Sequence, residues 1–213
     1  VSQNKKGKFI TFEGIDGSGK TSLIKAVACE LRKHNLDVLV TQEPGGTKLG
    51  QQLREIYLKT QEPVSALAEA LLFAADRAQH VEFIIKPALE KGKIVISDRF
   101  ADSTLAYQGA GRKIKPQILK QLIKIATSSL KPDLTILLDL PVEKAILRKS
   151  TQSEKSSLNR MDAEKKDFYE RVRKAYLKLA RKDPNRFRII SADNNFDEIR
   201  NKTLFLILDF LQK

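Results

Sequence analysis

The 213-residue chain is poor in the residues that build covalent or metal staples: it has one cysteine, Cys29, and two histidines, His34 and His80. A lone cysteine excludes an intramolecular disulfide, so the fold must stand on its core, and a reducing cytoplasm is the expected setting. Cys29 falls in mid-helix and is expected to be a small packed thiol. Two histidines cannot form a metal site between them, and neither is assigned a role. Long apolar runs are missing too. Runs such as Leu204 to Leu208 are far too short to span a bilayer, so no membrane association is expected. Val1 to Lys8 is polar and basic with no apolar centre, and it is not expected to act as a secretory signal. Acidic charge is the scarcer sign: 26 Asp and Glu face 39 Lys and Arg, a net charge of +13. That balance points to an anionic partner, either polyphosphate or nucleic acid. Residues 143–188 hold 15 Lys and Arg against 7 Asp and Glu, so the excess is concentrated there. The moving part of a phosphate-transfer site is expected in that region.

What is present begins with Gly14-Ile15-Asp16-Gly17-Ser18-Gly19-Lys20-Thr21, which fits G-x-x-x-x-G-K-[ST]. The apolar run Phe9 to Phe12 before it reads as a buried strand. Ile24, Val27, Ala28 and Leu31 after it lie on one helical face. A glycine loop between a strand and a helix lets backbone N–H groups close around a phosphate, with the helix N-terminus adding partial positive charge. Lys20 can then reach the outer phosphates of a nucleotide and Thr21 can ligate Mg²⁺.

Four more short apolar runs read as buried parallel strands: Val38–Val40, Ile94–Ile96, Leu134–Leu138 and Phe187–Ile190. Helical stripes alternate with them. One runs Leu67, Leu71, Ala74, Ala75, Ala78, Val81 and Ile85, with Pro87 closing or kinking its end. It is apolar over more than one stripe, so it is expected to face the sheet on one side and something else, such as a second subunit, on the other. The alternation predicts a doubly wound α/β fold of the P-loop NTPase type: a parallel five-stranded sheet flanked by helices, in one domain over residues 1–213. Ser150 to Ser157 holds no apolar residue and cannot bury itself, so a mobile lid is expected over about residues 143–162.

A phosphate loop alone does not distinguish a kinase from a GTPase or a motor. The N-K-x-D motif that GTPases use to read their base does not occur. Asp98-Arg99 follows the third strand directly, where an Asp can organise Mg²⁺-bound water and an Arg can grip a phosphoryl group. Asp139 ends the fourth strand and competes for the metal role, but it precedes Pro141 and is expected to cap the next helix. Phe73 and Arg77 are four apart on one helix face and suit a base: a ring to stack and a guanidinium to donate. Thr104 and Gln108 share another face beside Tyr107. Glu43-Pro44-Gly45-Gly46 is a tight turn whose backbone can approach a ligand.

Together these segments resemble the bacterial thymidylate kinase family over nearly the whole chain. The marks are F-E-G-I-D-G-S-G-K-T, T-Q-E-P-G-G-T, L-L-F-A-A-D-R, D-R-F-A-D-S-T-L-A-Y-Q-G, K-P-D-L-T-I-L-L-D-L and N-R-M-D, in that order. The resemblance implies phosphorylation of dTMP to dTDP by Mg·ATP, and a homodimer. It implies that Phe73 stacks on thymine, that Arg77 donates to O4, and that Thr104 and Gln108 face N3. Tyr107 would crowd the sugar 2′ position, Arg54 and Arg99 would grip the acceptor phosphate, and Glu43 and Pro44 would lie near the base. Asp16 would sit near the acceptor sugar and metal. Lys20, Arg99, Asp16 and Arg148 form the expected catalytic set, with Thr21 and Asp98 (through water) at the metal. The chain departs from the family at Gln42, where an arginine is usual, and at Gly17, which in some members is an arginine that reaches the transferring phosphoryl group. The lid should supply that cation from Arg148, Lys149, Lys155 or Arg160. Another nucleoside or nucleotide kinase would differ in its acceptor. A nucleic-acid-stimulated ATPase would show salt-dependent binding to DNA, and Phe73, Arg77 and the Asp98-Arg99 step argue against it.

Overall fold

The structure is a computed structural model that describes residues 7–153 and 164–212. Strand β1 (Lys8–Glu13) leads through the glycine loop into helix α1 (Lys20–Lys33), then β2 (Val38–Gln42), α2 (Lys48–Lys59) and α3 (Ala66–His80). α3 widens into a π-helical turn, Val81–Ile85, before the short α4 (Lys86–Glu90). The widening sits just before Pro87, whose ring and missing N–H an unbroken α-helix would not tolerate. There follow β3 (Ile94–Asp98), the one-turn α5 (Ala101–Thr104) running into a second π-helical stretch, Leu105–Gly111, then α6 (Pro116–Thr127) and β4 (Leu134–Asp139). The chain ends with α7 (Val142–Ser153), α8 (Lys166–Lys182), β5 (Phe187–Ser191) and α9 (Phe196–Leu211).

The five strands form one parallel sheet in the order β2-β3-β1-β4-β5. All five predicted strands are present, each a run too apolar to face water. β1, β3 and β4 are buried along almost their whole length. The register places Phe12 and Gln42 on either side of Asp98. The ends of β1, β2 and β3 therefore deliver Glu13, Glu43 and Arg99 to one edge, the carboxyl edge where open α/β sheets hold ligands.

α1 buries the face read from the sequence: Ile24, Val27, Ala28 and Leu31. Cys29 does not follow the expectation. It is exposed, because it points away from that buried face. α3 also departs from its reading. Leu67 and Leu71 are half-exposed, whereas Glu69, Asp76, Arg77 and His80 are buried. This helix turns its charged stripe inward, toward the site, and leaves apolar side chains outside. Within the expected lid region, Ser150 to Ser153 continue α7, and Ser150 Oγ donates to Leu147 O at 2.8 Å. Residues 154–162 of that lid, including Lys155, Asn159, Arg160, Met161 and Asp162, lie outside the described residues.

Candidate active site

The glycine loop adopts the backbone that its sequence demands. Gly14, Gly17 and Gly19 have φ of 142°, 81° and 88°. Gly17 is doubly constrained: a Cβ there would lie 2.6 Å from Ala145 O and 3.2 Å from Lys149 Cγ. α7 passes so close over the loop that no side chain fits at position 17. Lys149, one helical turn from Ala145, runs its side chain past that place, and its Nζ donates to Tyr169 Oη at 3.3 Å. Lys20 Nζ folds back on the loop, donating to Gly14 O and Ile15 O at 3.0 Å each. Burial, then the charge of Arg99, lowers its pKa to about 8.

Thr21 Oγ1 donates to Asp98 Oδ2 at 2.7 Å, and Asp98 Oδ1 is buried with no hydrogen-bond partner. An unsatisfied buried carboxylate oxygen beside a loop hydroxyl is what a hard cation or its water would complete. Asp139 is committed elsewhere, accepting from Arg173 Nε at 2.6 Å and Nη2 at 2.9 Å. No group of three or more His, Cys, Asp or Glu suited to hold a metal occurs among the described residues. A cation here would be shared with ligand phosphates rather than caged by protein, as is usual for Mg²⁺.

Arg99 is held in a left-handed backbone conformation, φ 73°, that only Gly adopts without strain. Its guanidinium bonds Asp16 Oδ1 at 2.6 Å, Tyr107 Oη at 3.0 Å, Ser103 Oγ at 3.1 Å and Tyr176 Oη at 3.2 Å. Burial would raise the Asp16 carboxyl, but Arg99, Lys20 and Lys149 outweigh it and hold the pKa at about 2. Ser103 and Tyr176 in turn donate hydrogen bonds to Glu13 Oε2, at 2.7 and 2.8 Å. Glu13 is fully buried at the end of β1, and burial is the main reason its pKa rises to about 7. It fixes Arg99 through two hydroxyls, a role that sequence reading did not assign.

A cavity of about 560 Å³ joins the loop to a second cluster containing Phe73, Arg77, Thr104, Tyr107 and Gln108. Arg77 is almost fully buried. Its Nε donates to Glu43 Oε2 and its Nη1 to Thr104 Oγ1, both at 2.7 Å, and Nη2 donates to Phe100 O at 3.0 Å. Glu43 also accepts from His80 Nδ1 at 2.9 Å, and His80 Nε2 shares a 2.6 Å bond with Thr41 Oγ1. His80 thus has a role after all: it fastens the Glu43 turn to α3. A Cβ on Gly46 would strike its ring at 2.5 Å, so that turn requires a glycine. The signal in the sequence was spacing, because Glu69, Phe73, Asp76, Arg77 and His80 all lie on one helical stripe.

Asp76, also unassigned from sequence, is buried and accepts from Gly45 N–H at 3.0 Å. Burial, with Glu43 second, raises its pKa from 3.8 to about 6. The folded state therefore holds this proton more tightly than the unfolded state. The resulting stability is full below the unfolded pKa of 3.8 and lost as pH rises through about 6. Asp76→Asn keeps an oxygen for Gly45 and cannot ionise. It should abolish that decline and be more stable than the parent at pH 8, by about 2 kcal/mol. Denaturant melts from pH 4 to 8 measure this, and a variant weaker than the parent at pH 8 contradicts it.

Arg54 donates to Pro44 O at 3.0 Å and also lines the cavity. A Cβ on Gly45 would lie 3.5 Å from Arg54 Cδ and 3.6 Å from Gln42 Nε2, so these two side chains flank one face of the turn. Gln42 is exposed, lines the cavity and makes no side-chain hydrogen bond to a described residue. Arg148 Nη2 donates to Ala192 O at 3.0 Å, and Arg148 and Lys149 both reach the cavity wall.

Comparison with known proteins is consistent from end to end. The family model described as thymidylate kinase matches residues 12–203. The chain is 43% identical over 206 residues to a thymidylate kinase of Mycoplasma capricolum subsp. capricolum, covering 96% of each chain. It is 47% identical over 194 residues to one of Carboxydothermus hydrogenoformans, covering 91% of this chain and 93% of the relative. Among solved structures it resembles the thymidylate kinase of Ehrlichia chaffeensis, with TM-score 0.77 and 34% identity over 95% of this chain and 98% of the other.

Proposed function

We infer the reaction from one premise: this chain belongs to the thymidylate kinase family. It phosphorylates dTMP to dTDP with ATP as donor. The observation that carries this is the single cavity with a phosphate loop at one end and the Phe73–Arg77–Thr104–Gln108 cluster at the other. That cavity can hold two nucleotides end to end, as direct in-line transfer requires.

In this reading the loop N–H groups and Lys20 Nζ bind the donor's outer phosphates. The ammonium leaves Gly14 O and Ile15 O for oxygens that carry more charge. Thr21 and Asp98 would hold Mg²⁺ between them, and the cation supplies charge neutralisation on the donor phosphates. Arg99 and Arg54 hold the acceptor phosphate, while Asp16 and Tyr107 keep Arg99 in place. Tyr107 borders the acceptor sugar, and Phe73 covers the base while Arg77, Thr104 and Gln108 read its edge. An oxygen of the acceptor phosphate attacks the γ-phosphorus, the bond to the β-phosphate oxygen breaks, and ADP leaves. The attacking oxygen is already ionised at pH 7, so no general base is needed. Arg148 and Lys149 bring the cations that Gly17 cannot. The test is chromatography of the products: dTDP and ADP should form one to one from dTMP and ATP, and EDTA should stop both. ADP formed without dTDP would overturn the transfer.

The remaining expectations stand as part of this reading: one kinase domain over residues 1–213, a lid over about 143–162, a cytoplasmic location and a homodimer. The half-exposed Leu67 and Leu71 on α3 and Phe83 just beyond it support a second copy as the neighbour of that face.

Gln42 gives this reading a sharp local test. Its amide sits beside Arg54 at the acceptor end without a partner among the described residues, so a charge placed there would add to the phosphate grip. Gln42→Arg should tighten dTMP by up to ~1 kcal/mol at low salt, and the gain should shrink as salt rises. Unchanged affinity at low salt would remove Gln42 from the phosphate site.

A further inference from the structure

We propose that Glu69 is a positioning residue that fixes the amide of Gln108, so that only a pyrimidine carrying hydrogen on N3 satisfies the acceptor site. The proposal rests on the reading above, in which Gln108 faces the base.

Glu69 and Gln108 are 1% and 2% exposed. Gln108 Nε2 donates to Glu69 Oε1 at 2.7 Å. Every other described contact of that carboxylate is also a donor. Tyr57 Oη donates to Oε2 at 3.0 Å, and Arg112 Nε lies 3.0 Å from Oε2 and 3.2 Å from Oε1. The donors come from α2, from the Leu105–Gly111 stretch and from Arg112 just after it, and they close around the one charge that α3 carries. Arg112 balances that charge and also pairs with Glu164.

A carboxylate only accepts, so it permits one orientation of the neighbouring amide. Turning Gln108 over would set its carbonyl oxygen against Oε1 at the same short distance, with no hydrogen between two acceptors. The lock therefore sends Nε2 inward to Glu69 and leaves Oε1 toward the cavity that Gln108 lines. That oxygen accepts no hydrogen bond from any described residue. It is a fixed acceptor awaiting a donor. The imide N3–H of thymine or uracil supplies one. Cytosine presents a lone pair at N3 instead, and an amide that cannot turn meets it with repulsion. A free glutamine would accommodate either base, because it could offer oxygen to one and nitrogen to the other. Discrimination at this atom thus depends on a residue that never touches the substrate. A buried polar group left without its partner is what gives such sites their selectivity.

The test compares three acceptors: dTMP, dUMP and dCMP. dUMP shares the imide of dTMP without its methyl group, so it isolates N3. In Glu69→Gln the neighbour can accept or donate, and the lock is lost. The ratio of kcat/KM for dUMP over dCMP should fall at least ~10-fold, with KM for ATP unchanged. In a Gln108→Leu background the same change should leave the ratio where Gln108→Leu alone put it. If Glu69→Gln does not fold, Glu69→Asp serves in its place, since it keeps the charge for Arg112 but draws the carboxylate back from Gln108. An equal fall for all three acceptors with the ratio preserved would overturn the proposal. So would a ratio change of the same size with and without Gln108. A parent protein that fails to phosphorylate dTMP at all would instead strike the assigned reaction, and this proposal with it.

Discussion

Lys20→Ala should lower the turnover of dTMP phosphorylation by at least ~100-fold, because it removes a cation aimed at charge that develops in transfer. It should do so without loss of stability. Lys20 is 6% exposed, and its pKa is pushed down to about 8, first by burial. Folding thus holds this cation in the loop against its preference for water. The alanine variant relieves that cost and should melt no lower than the parent. Steady-state kinetics paired with thermal melting separates the two effects. Turnover near that of the parent would refute the assigned role. A large fall in melting temperature would make Lys20 a structural residue instead.

Arg77→Ala should be the most destabilising single change at the site, by about 3–5 kcal/mol. The Glu43 carboxylate side chain is 3% exposed and takes bonds from Arg77 and His80. Removing Arg77 leaves that buried charge with His80 alone, and also strips Thr104 Oγ1 and Phe100 O of their donor. Weakened dTMP binding in this variant would therefore mix lost base reading with a loosened turn. The double variant Arg77→Met with Glu43→Gln removes both charges and should recover part of the lost stability. Chemical denaturation of Arg77→Met, Glu43→Gln and the double variant closes the cycle. A loss below ~1 kcal/mol for Arg77→Ala would show that the Glu43 pair is not the strut described here.

These two predictions mark what the sequence could and could not convey. Lys20 was legible because its chemistry is local: a glycine loop between a strand and a helix is written in eight consecutive residues. The strands were legible for a similar reason, since a run such as Leu134–Leu138 is too apolar to lie anywhere but between neighbours. Arg77 was legible as a base reader, but its structural load was not. Glu43, Thr104 and Phe100 converge on it from two other parts of the chain, and only the tertiary fold brings them there. α3 illustrates the same limit. Apolar periodicity predicted a side toward the sheet and an apolar side facing outward, but it did not show that Glu69, Asp76 and His80 turn inward, because their partners lie on α2, the Glu43 turn and the Leu105–Gly111 stretch. A buried charged residue looks like a surface residue until its partner is known. Cys29 failed in the opposite direction: it was expected to pack because it falls in mid-helix, yet it lies off the Ile24, Val27, Ala28 and Leu31 face that is buried. Gly17 gained its reason only from structure: the loop's own turn needs φ of 81°, and α7 passing overhead excludes any side chain.

The central claim is that one cavity pairs a donor nucleotide with a thymine-bearing monophosphate. The most direct measurement is ADP formation from Mg·ATP with dTMP, AMP, GMP or CMP offered separately at equal concentration. Activity with dTMP should exceed that with each of the others: adenine and cytosine lack the adjoining carbonyl and ring N–H that Arg77 and Gln108 would read, and guanine, which has such a pair at O6 and N1, is a larger two-ring base. Activity on dTMP no higher than on AMP, GMP or CMP would contradict it.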